Sequence, residues 1–353
     1  MTPIEDLAAL EQQARETLPH MVWEYLDSGA GDDVTAADNV AAWRRLRLRP
    51  RVLRDVSAVD TSTTVLGTRV ASPVIVAPTA LHRMFHDDGE IGVAHAAADT
   101  VLVVSVSAST SLEDIAAAAP ATPRWLQLYM QRDRALTADL CARAAETGCA
   151  ALVVTVDSPV LSRRPRNERA AFAPPAGMRL PQLEPRIRPA GDTDLYALVA
   201  GFDAAVTFDD LALFKEWSGL PIVVKGVLRG DDAARCADAG ADAIGVSNHG
   251  GRQLDGCVPT ALALPEVVDA VAGRAEIYVD GGIRDGADVL KAVALGARAV
   301  MVGRPVMWGL ATGGSDGVRA VLDGFHRGLE RAMAFCGAPH VAALTPDLVR
   351  EMS

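Results

Sequence analysis

The chain has 353 residues, 50% of them hydrophobic and 22% charged, with a formal net charge of −11 at pH 7, the make-up of a globular protein with a sizeable core. That charge, with no Lys/Arg run interleaved with aromatics, excludes a nucleic-acid surface, and the longest apolar stretches, Val70 to Leu81 and Val101 to Val106, fall short of the roughly 20 residues that cross a bilayer, so no membrane partner is expected. Five scattered cysteines, Cys141, Cys149, Cys236, Cys257 and Cys336, never spaced Cys-x-x-Cys, and a start without a basic and apolar leader lead us to expect a cytoplasmic protein with reduced thiols and no bound metal.

In chain order, Thr2-Pro3-Ile4-Glu5 carries the capping-box pattern with proline at the first helical position, and a second short helix is expected over His20 to Leu26, stopped by Ser28-Gly29. Two helices therefore make up an N-terminal segment of about residues 1–50. Strand-length, β-branched runs follow: Pro73 to Ala77, Val101 to Ser105, Trp125 to Tyr129, Ala151 to Thr155, Pro221 to Val224, Ala243 to Val246, Ile277 to Val279 and Ala299 to Val302. Helical patterns separate them, and their hydrophobicity is continuous rather than alternating. Such runs fit strands covered on both faces, and eight βα units predict an α/β fold, a single (β/α)8 TIM barrel domain spanning 1–353.

Between the fourth and fifth runs, residues of about 162–206 crowd Pro165, Pro174, Pro175, Pro181, Pro185 and Pro189 among Arg163, Arg164, Arg166, Arg169, Arg179, Arg186 and Arg188. This stretch reads either as a lid over the site or as a solvated insertion. After the seventh run, Asp285 can cap a helix through Val289, Leu290 and Val293, ended by Gly296.

Polar residues at strand carboxyl ends share one mouth in such a barrel. They are Thr79 and Ala80, Ser105, Gln127 and Tyr129, Thr155 and Asp157, Lys225, Ser247 and His249, Asp280 to Arg284, and Gly303-Arg304. The last two loops combine glycines, helix amino termini and two arginines into a phosphate cradle. Gln127, Thr155 and Lys225 suit the polar edge of a flat ring such as a flavin, although Lys225 could equally sit in a buried ion pair with a barrel carboxylate. In Ser247-Asn248-His249-Gly250-Gly251-Arg252-Gln253-Leu254-Asp255, a proton acceptor stands three residues from a permanent cation, which suits proton removal from a carboxylate-bearing substrate.

On these residues, with Gln127-Leu128-Tyr129, Thr155-Val156-Asp157-Ser158-Pro159, Asp280-Gly281-Gly282-Ile283-Arg284 and the Tyr25 segment, the chain resembles the FMN-dependent α-hydroxy-acid oxidase/dehydrogenase family, which includes glycolate oxidase, lactate oxidase, mandelate dehydrogenase and 4-hydroxymandelate oxidase. The resemblance covers almost the whole length. It implies oxidation of a small (S)-2-hydroxy acid with FMN and O2, and a homo-oligomer, in the family a tetramer. By the same resemblance His249 is the base and Asp157 stabilises its imidazolium. Arg252 and Arg164 hold the substrate carboxylate, Tyr25 and Tyr129 bond the carboxylate and the reacting oxygen, and Lys225 sits at the flavin edge. Thr79, Ala80, Ser105, Gln127, Thr155 and Ser247 surround the ring, Asp280 takes the ribityl hydroxyls, and Gly282, Arg284, Gly303 and Arg304 surround the phosphate.

Where plant glycolate oxidase has a tryptophan shortly after the strand-two serine, this chain has Ser107, which implies a roomier pocket and a substrate larger than glycolate, aromatic and mandelate-like or lactate-like. Ala80 leans toward an oxidase. Left open by the residues are hydride or carbanion chemistry, a dehydrogenase with another acceptor, another FMN barrel such as a type 2 isopentenyl diphosphate isomerase, and a flavin-binding barrel without turnover.

Overall fold

A computed structural model describes residues 2–4, 6–175, 177–184 and 201–352. Eight parallel strands close into a barrel: β1 (Val74–Val76), β2 (Leu102–Ser105), β3 (Arg124–Leu128), β4 (Ala151–Thr155), β5 (Ile222–Val227), β6 (Ala243–Val246), β7 (Glu276–Val279) and β8 (Ala299–Val302). β8 returns to β1 in the register Val300 to Val74 and Met301 to Ile75. The expected TIM barrel is the observed fold.

The strands read as unbroken apolar runs because both of their faces are buried. Ile75, Val103, Trp125, Val153, Val223, Tyr278 and Met301 fill the barrel interior. Their neighbours Val76, Val104, Leu126, Leu152, Val224, Val279 and Val302 pack against the outer helices. A hairpin of Thr63–Val65 with Thr68–Val70 adds Val65 and Val70 to the interior cluster and plugs the amino end. There the Glu276 carboxylate accepts both the Tyr278 hydroxyl, at 2.5 Å, and the Leu66 amide, at 3.2 Å. With that end sealed, only the carboxyl end can take a ligand. Period-two alternation then carries the inward positions to the mouth: Ala77 and Thr79 after Ile75, Ser105 after Val103, Gln127 and Tyr129 after Trp125, Thr155 and Asp157 after Val153, Lys225 after Val223, and Asp280 after Tyr278.

The N-terminal segment departs from expectation. It holds three helices, α1 (Leu7–Thr17), α2 (His20–Asp27) and α3 (Val34–Arg45), and its last strand, Leu46–Leu48, pairs with Val349–Glu351. Thr2-Pro3 does not open α1; Asp6 caps it, accepting from the Ala9 amide at 3.0 Å. The Ile4 amide is instead drawn to the Ala320 carbonyl at 2.9 Å, so a tertiary contact overrides the local cap. α2 agrees with its expected bounds, with Ser28 extended just beyond it.

The helix Gly286–Ala294 begins as expected, with the Asp285 side chain accepting from the Asp288 amide. The helical run Arg304–Cys336 breaks at Gly313-Gly314, so residues 304–312 form a short separate helix after β8. Within the Pro/Arg-rich stretch, Pro165–Arg169 forms one short helix and Leu180 and Leu183 are buried. Gln182 there donates to the Thr110 carbonyl at 3.0 Å and accepts from Arg143 at 3.3 Å. This part is docked onto the barrel; Pro185, Arg186, Arg188 and Pro189 lie outside the described residues. Among the described residues no helix is long and apolar enough to cross a membrane, and no three His, Cys, Asp or Glu side chains gather as a metal site. The cysteines are free thiols, all buried except the half-buried Cys257.

Candidate active site

The loop after β6 turns through three successive left-handed residues, His249 (φ 60°), Gly250 (φ 65°) and Gly251 (φ 78°). Gly251 is obligatory there, because an added Cβ would lie 2.5 Å from the Ala36 amide nitrogen. The turn aims the imidazole at the extension of β4, where His249 Nδ1 meets Asp157 Oδ1 at 2.9 Å. Burial works to raise the Asp157 carboxyl's pKa, but His249, Lys225 and the Ser158 hydroxyl outweigh it and hold the group below its ordinary value, so it stays ionised. Its second oxygen, Oδ2, is buried without a hydrogen-bond partner among the described residues.

Beneath the imidazole lies a closed polar cluster. Lys225 Nζ pairs with Asp280 Oδ2 at 2.8 Å and donates to Ser247 Oγ at 2.8 Å; Ser247 donates to Asp280 Oδ1 at 2.8 Å and accepts from the His249 amide at 3.0 Å. The buried ion pair weighed for Lys225 is therefore present. Burial disfavours its charge, yet Asp280 and Asp157 overcome this and raise its pKa, so the mouth receives a permanent cation. Along the next strands Ser105 donates to Gln127 Oε1 at 3.2 Å and Gln127 Nε2 donates to Thr155 Oγ1 at 3.0 Å, making a polar row.

Four guanidinium groups crowd the opposite side: Arg164, Arg252, Arg284 and Arg304. Burial lowers the pKa of each. Arg164 and Arg304 add to the effect at Arg252, which falls well below its ordinary value, and Arg304 adds to it at Arg284, brought to about 10. None pairs with a carboxylate among the described residues. Arg252 Nη1 donates to the Leu26 and Ser28 carbonyls, at 3.1 and 2.7 Å, and its other donors meet no protein acceptor among the described residues. Arg304 donates to the carbonyls of Leu26, Asp27 and Gly250. Half-buried cations held by carbonyl dipoles and, for Arg252 and Arg284, by the ring faces of Tyr25 and Trp308, with no carboxylate partner, mark anion sites.

Every residue singled out from the sequence, except Asp157 and Ser247, lines one cavity at this mouth. Those two stand behind it: Asp157 supports His249, and Ser247, with its hydroxyl saturated, supports Lys225 rather than facing a ligand. One expectation for the phosphate cradle is corrected. Asp285 and Asp288 satisfy the amino end of the helix after β7, with Asp288 accepting from the Arg284 amide at 3.1 Å. Of the two helices that open at this cradle, the one at Arg304 lacks a side-chain cap and offers its amino end to an anion.

A family model described as "FMN-dependent dehydrogenase" matches residues 14–351. The chain belongs to that family. It is 44% identical to 2-Hydroxyacid oxidase 1 of Homo sapiens over 97% of this chain and 95% of that one. It is 46% identical to L-lactate oxidase of a Nostoc species over 94% of each. The solved structure of a mandelate oxidase superposes with a TM-score of 0.90 at 42% identity over 98% of both chains.

FMN fits the residues present. The guanidiniums of Arg284 and Arg304, neither paired with a carboxylate among the described residues, suit its phosphate together with the uncapped helix end. Asp280 suits hydroxyls, and the Ser105–Gln127–Thr155 row with Lys225 suits the hydrogen-bonding edge of the ring. Gly282 (φ 82°) has a second reason to be glycine, since a Cβ would sit 2.3 Å from the Asn39 carbonyl oxygen.

Sequence reasoning missed the partners of the two tyrosines. Phe172 stacks on Tyr25 at 4.3 Å and Phe202 on Tyr129 at 4.0 Å, contacts that hold each phenol ring flat. Burial, with Asp157 next, pushes the Tyr129 hydroxyl up, so it remains a proton donor. In a chain with only 7 Phe and 4 Tyr, aromatics set among prolines and arginines were the available signal. Arg166 was also missed: it bridges Glu24, Asp27 and Asp33 at 2.7 to 2.9 Å and ties the loop after β4 to α2 and α3.

Proposed function

We propose that this protein oxidises an (S)-2-hydroxy acid to the 2-oxo acid with FMN as cofactor and O2 as final acceptor, releasing hydrogen peroxide. The observation that carries this reading is His249, backed by Asp157, facing the same cavity as Arg252 and Arg164, neither of which pairs with a carboxylate among the described residues. A substrate carboxylate neutralises those guanidiniums and fixes the adjacent carbon and its hydroxyl beside His249. Tyr25 and Tyr129, held by their stacking partners, donate to the carboxylate and the reacting oxygen. His249 takes up a proton at Nε2 while Nδ1 stays engaged with Asp157, whose negative charge stabilises the imidazolium. FMN, when bound, supplies the two-electron acceptor, and Lys225 provides positive charge close to it. The activities in the names of the oxidase relatives support the same chemistry.

An anaerobic spectrum of the FMN-loaded enzyme with glycolate, lactate and mandelate tests this directly. Bleaching by at least one acid, followed by one equivalent of peroxide on admitting air, is the expected result. Bleaching without peroxide selects a dehydrogenase using another acceptor. No bleaching by any acid refutes the reading.

Ser107 is buried and lines the cavity, where it leaves room for a substituent larger than that of glycolate. We expect Ser107→Trp to cut kcat/KM for mandelate at least about 10-fold relative to glycolate, measured by peroxide release; equal effects on both acids would remove Ser107 from specificity. We also propose a cytoplasmic homotetramer: the buried free thiols suit a reducing compartment, and the family resemblance supports the tetramer, which light scattering checks.

A further inference from the structure

α3 lies outside the barrel and reaches the mouth only through the backbone of Gly281 and Gly282, yet Asp255, Gly251 and Asn248 of the histidine loop are built against it. The Asp255 carboxylate receives the amides of Asp32 and Thr35 at 2.9 and 2.8 Å, and so closes the helix amino end. Gly251 packs its α-carbon on Ala36. Asn248 and Asn39 face each other in a reciprocal amide pair, Asn39 Nδ2 donating to Asn248 Oδ1 at 2.8 Å and Asn248 Nδ2 donating to Asn39 Oδ1 at 2.9 Å. Both side chains are buried. Their remaining capacity is taken up within the same loop: the Gly251 amide donates to Asn248 Oδ1 at 3.0 Å, Asn248 Nδ2 donates to the Val258 carbonyl at 3.2 Å, and the Thr260 amide donates to Asn39 Oδ1 at 3.2 Å. One turn on, Trp43 donates to the Gly281 carbonyl at 2.8 Å and so holds the loop after β7 from the same helix face.

His249 follows Asn248 directly and has the left-handed backbone that a non-glycine residue adopts only under constraint. Its side chain meets Asp157, and its amide, part of the peptide that joins it to Asn248, meets Ser247 and holds that peptide at one point. The fully satisfied Asn39–Asn248 pair supplies that constraint from one side and Gly251 on Ala36 from the other. We propose that Asn39 is a positioning residue for His249, acting through Asn248 to hold the imidazole in register with Asp157 and the substrate. The inference rests on His249 being the base.

The test compares wild type with the Asn39→Ala and Asn248→Ala holoenzymes. Reduction of bound FMN at saturating 2-hydroxy acid, followed anaerobically by stopped flow, is expected to slow by about 10- to 100-fold, as a misplaced catalytic group does. Two dissociation constants should stay within about 3-fold of wild type: that of FMN for the apoprotein, and that of the deoxy analogue of the best substrate (acetate, propionate or phenylacetate), which the arginines bind without using His249. Because the two residues act as one unit, the double variant should be no slower than the slower single variant.

Unchanged reduction rates would overturn the proposal. So would losses of equal size in all three quantities, which are the mark of general loosening. If Asn39→Ala does not accumulate as holoenzyme, Asn248→Ala, which leaves the helix intact, is read by the same criteria. Failure of the wild type itself to be reduced by any 2-hydroxy acid would instead overturn the assignment of His249, so the two failures are distinct.

Discussion

His249→Gln is expected to retain FMN and the fold while losing about 10²- to 10⁴-fold in the rate at which a 2-hydroxy acid reduces the cofactor, the range general base catalysis contributes. Glutamine nearly matches the imidazole in reach and can still donate to Asp157, so the polar pair is not simply deleted, but it cannot accept a proton at working pH. The Lys225–Ser247–Asp280 cluster beneath the imidazole bonds His249 only through its backbone amide, so it is undisturbed by the change. An anaerobic stopped-flow trace with a parallel FMN titration of the apoprotein separates chemistry from cofactor loss. Reduction within 10-fold of wild type would show that another group takes the proton.

Arg252→Met should act on recognition instead. The guanidinium is half-buried in the cavity wall, and truncating one partner of such a charge-assisted contact costs about 10²- to 10³-fold in kcat/KM, expressed mainly in KM. Stability should move the other way or not at all. Arg164 and Arg304 both depress the proton affinity of Arg252, so the three cations repel one another across the mouth, and an apolar side chain of similar length relieves that repulsion. Arg252→Lys would not rescue the loss, because an ammonium cannot make the two-pronged contact. Steady-state kinetics beside a thermal melt checks both halves; a KM within 3-fold of wild type would remove Arg252 from the substrate site.

How much of this was legible in the chain depends on how local the determining physics is. The barrel could be read because each strand is buried on both sides, so Val101 to Ser105 or Ala151 to Thr155 needs no partner to be recognised. The mouth could be read because alternation extends past the last apolar residue: the polar group two beyond Val103 or Val153 faces the ligand whatever the rest of the chain does. The Asp285 cap is local and was legible for the same reason.

α3 was not, since its inner face carries Asn39 where a core helix would have an aliphatic residue, and that asparagine makes sense only beside Asn248, 209 positions away. The cap expected at Thr2 lost to a distant carbonyl on the C-terminal helical run. Local chemistry likewise could not choose between an ion pair and a flavin-edge role for Lys225, and the folded chain gives it Asp280 while leaving it on the cavity wall.

The crowding of like charges at the barrel's open end means that folding and filling are thermodynamically one process here. Each guanidinium loses hydration when the chain closes and gains a directly paired counter-charge when something anionic arrives, so heat tolerance of the empty polypeptide is a function of the ions dissolved around it. Sulfate or inorganic phosphate should raise its melting temperature progressively with concentration, chloride far less, and saturating FMN most of all, by the logarithm of occupancy.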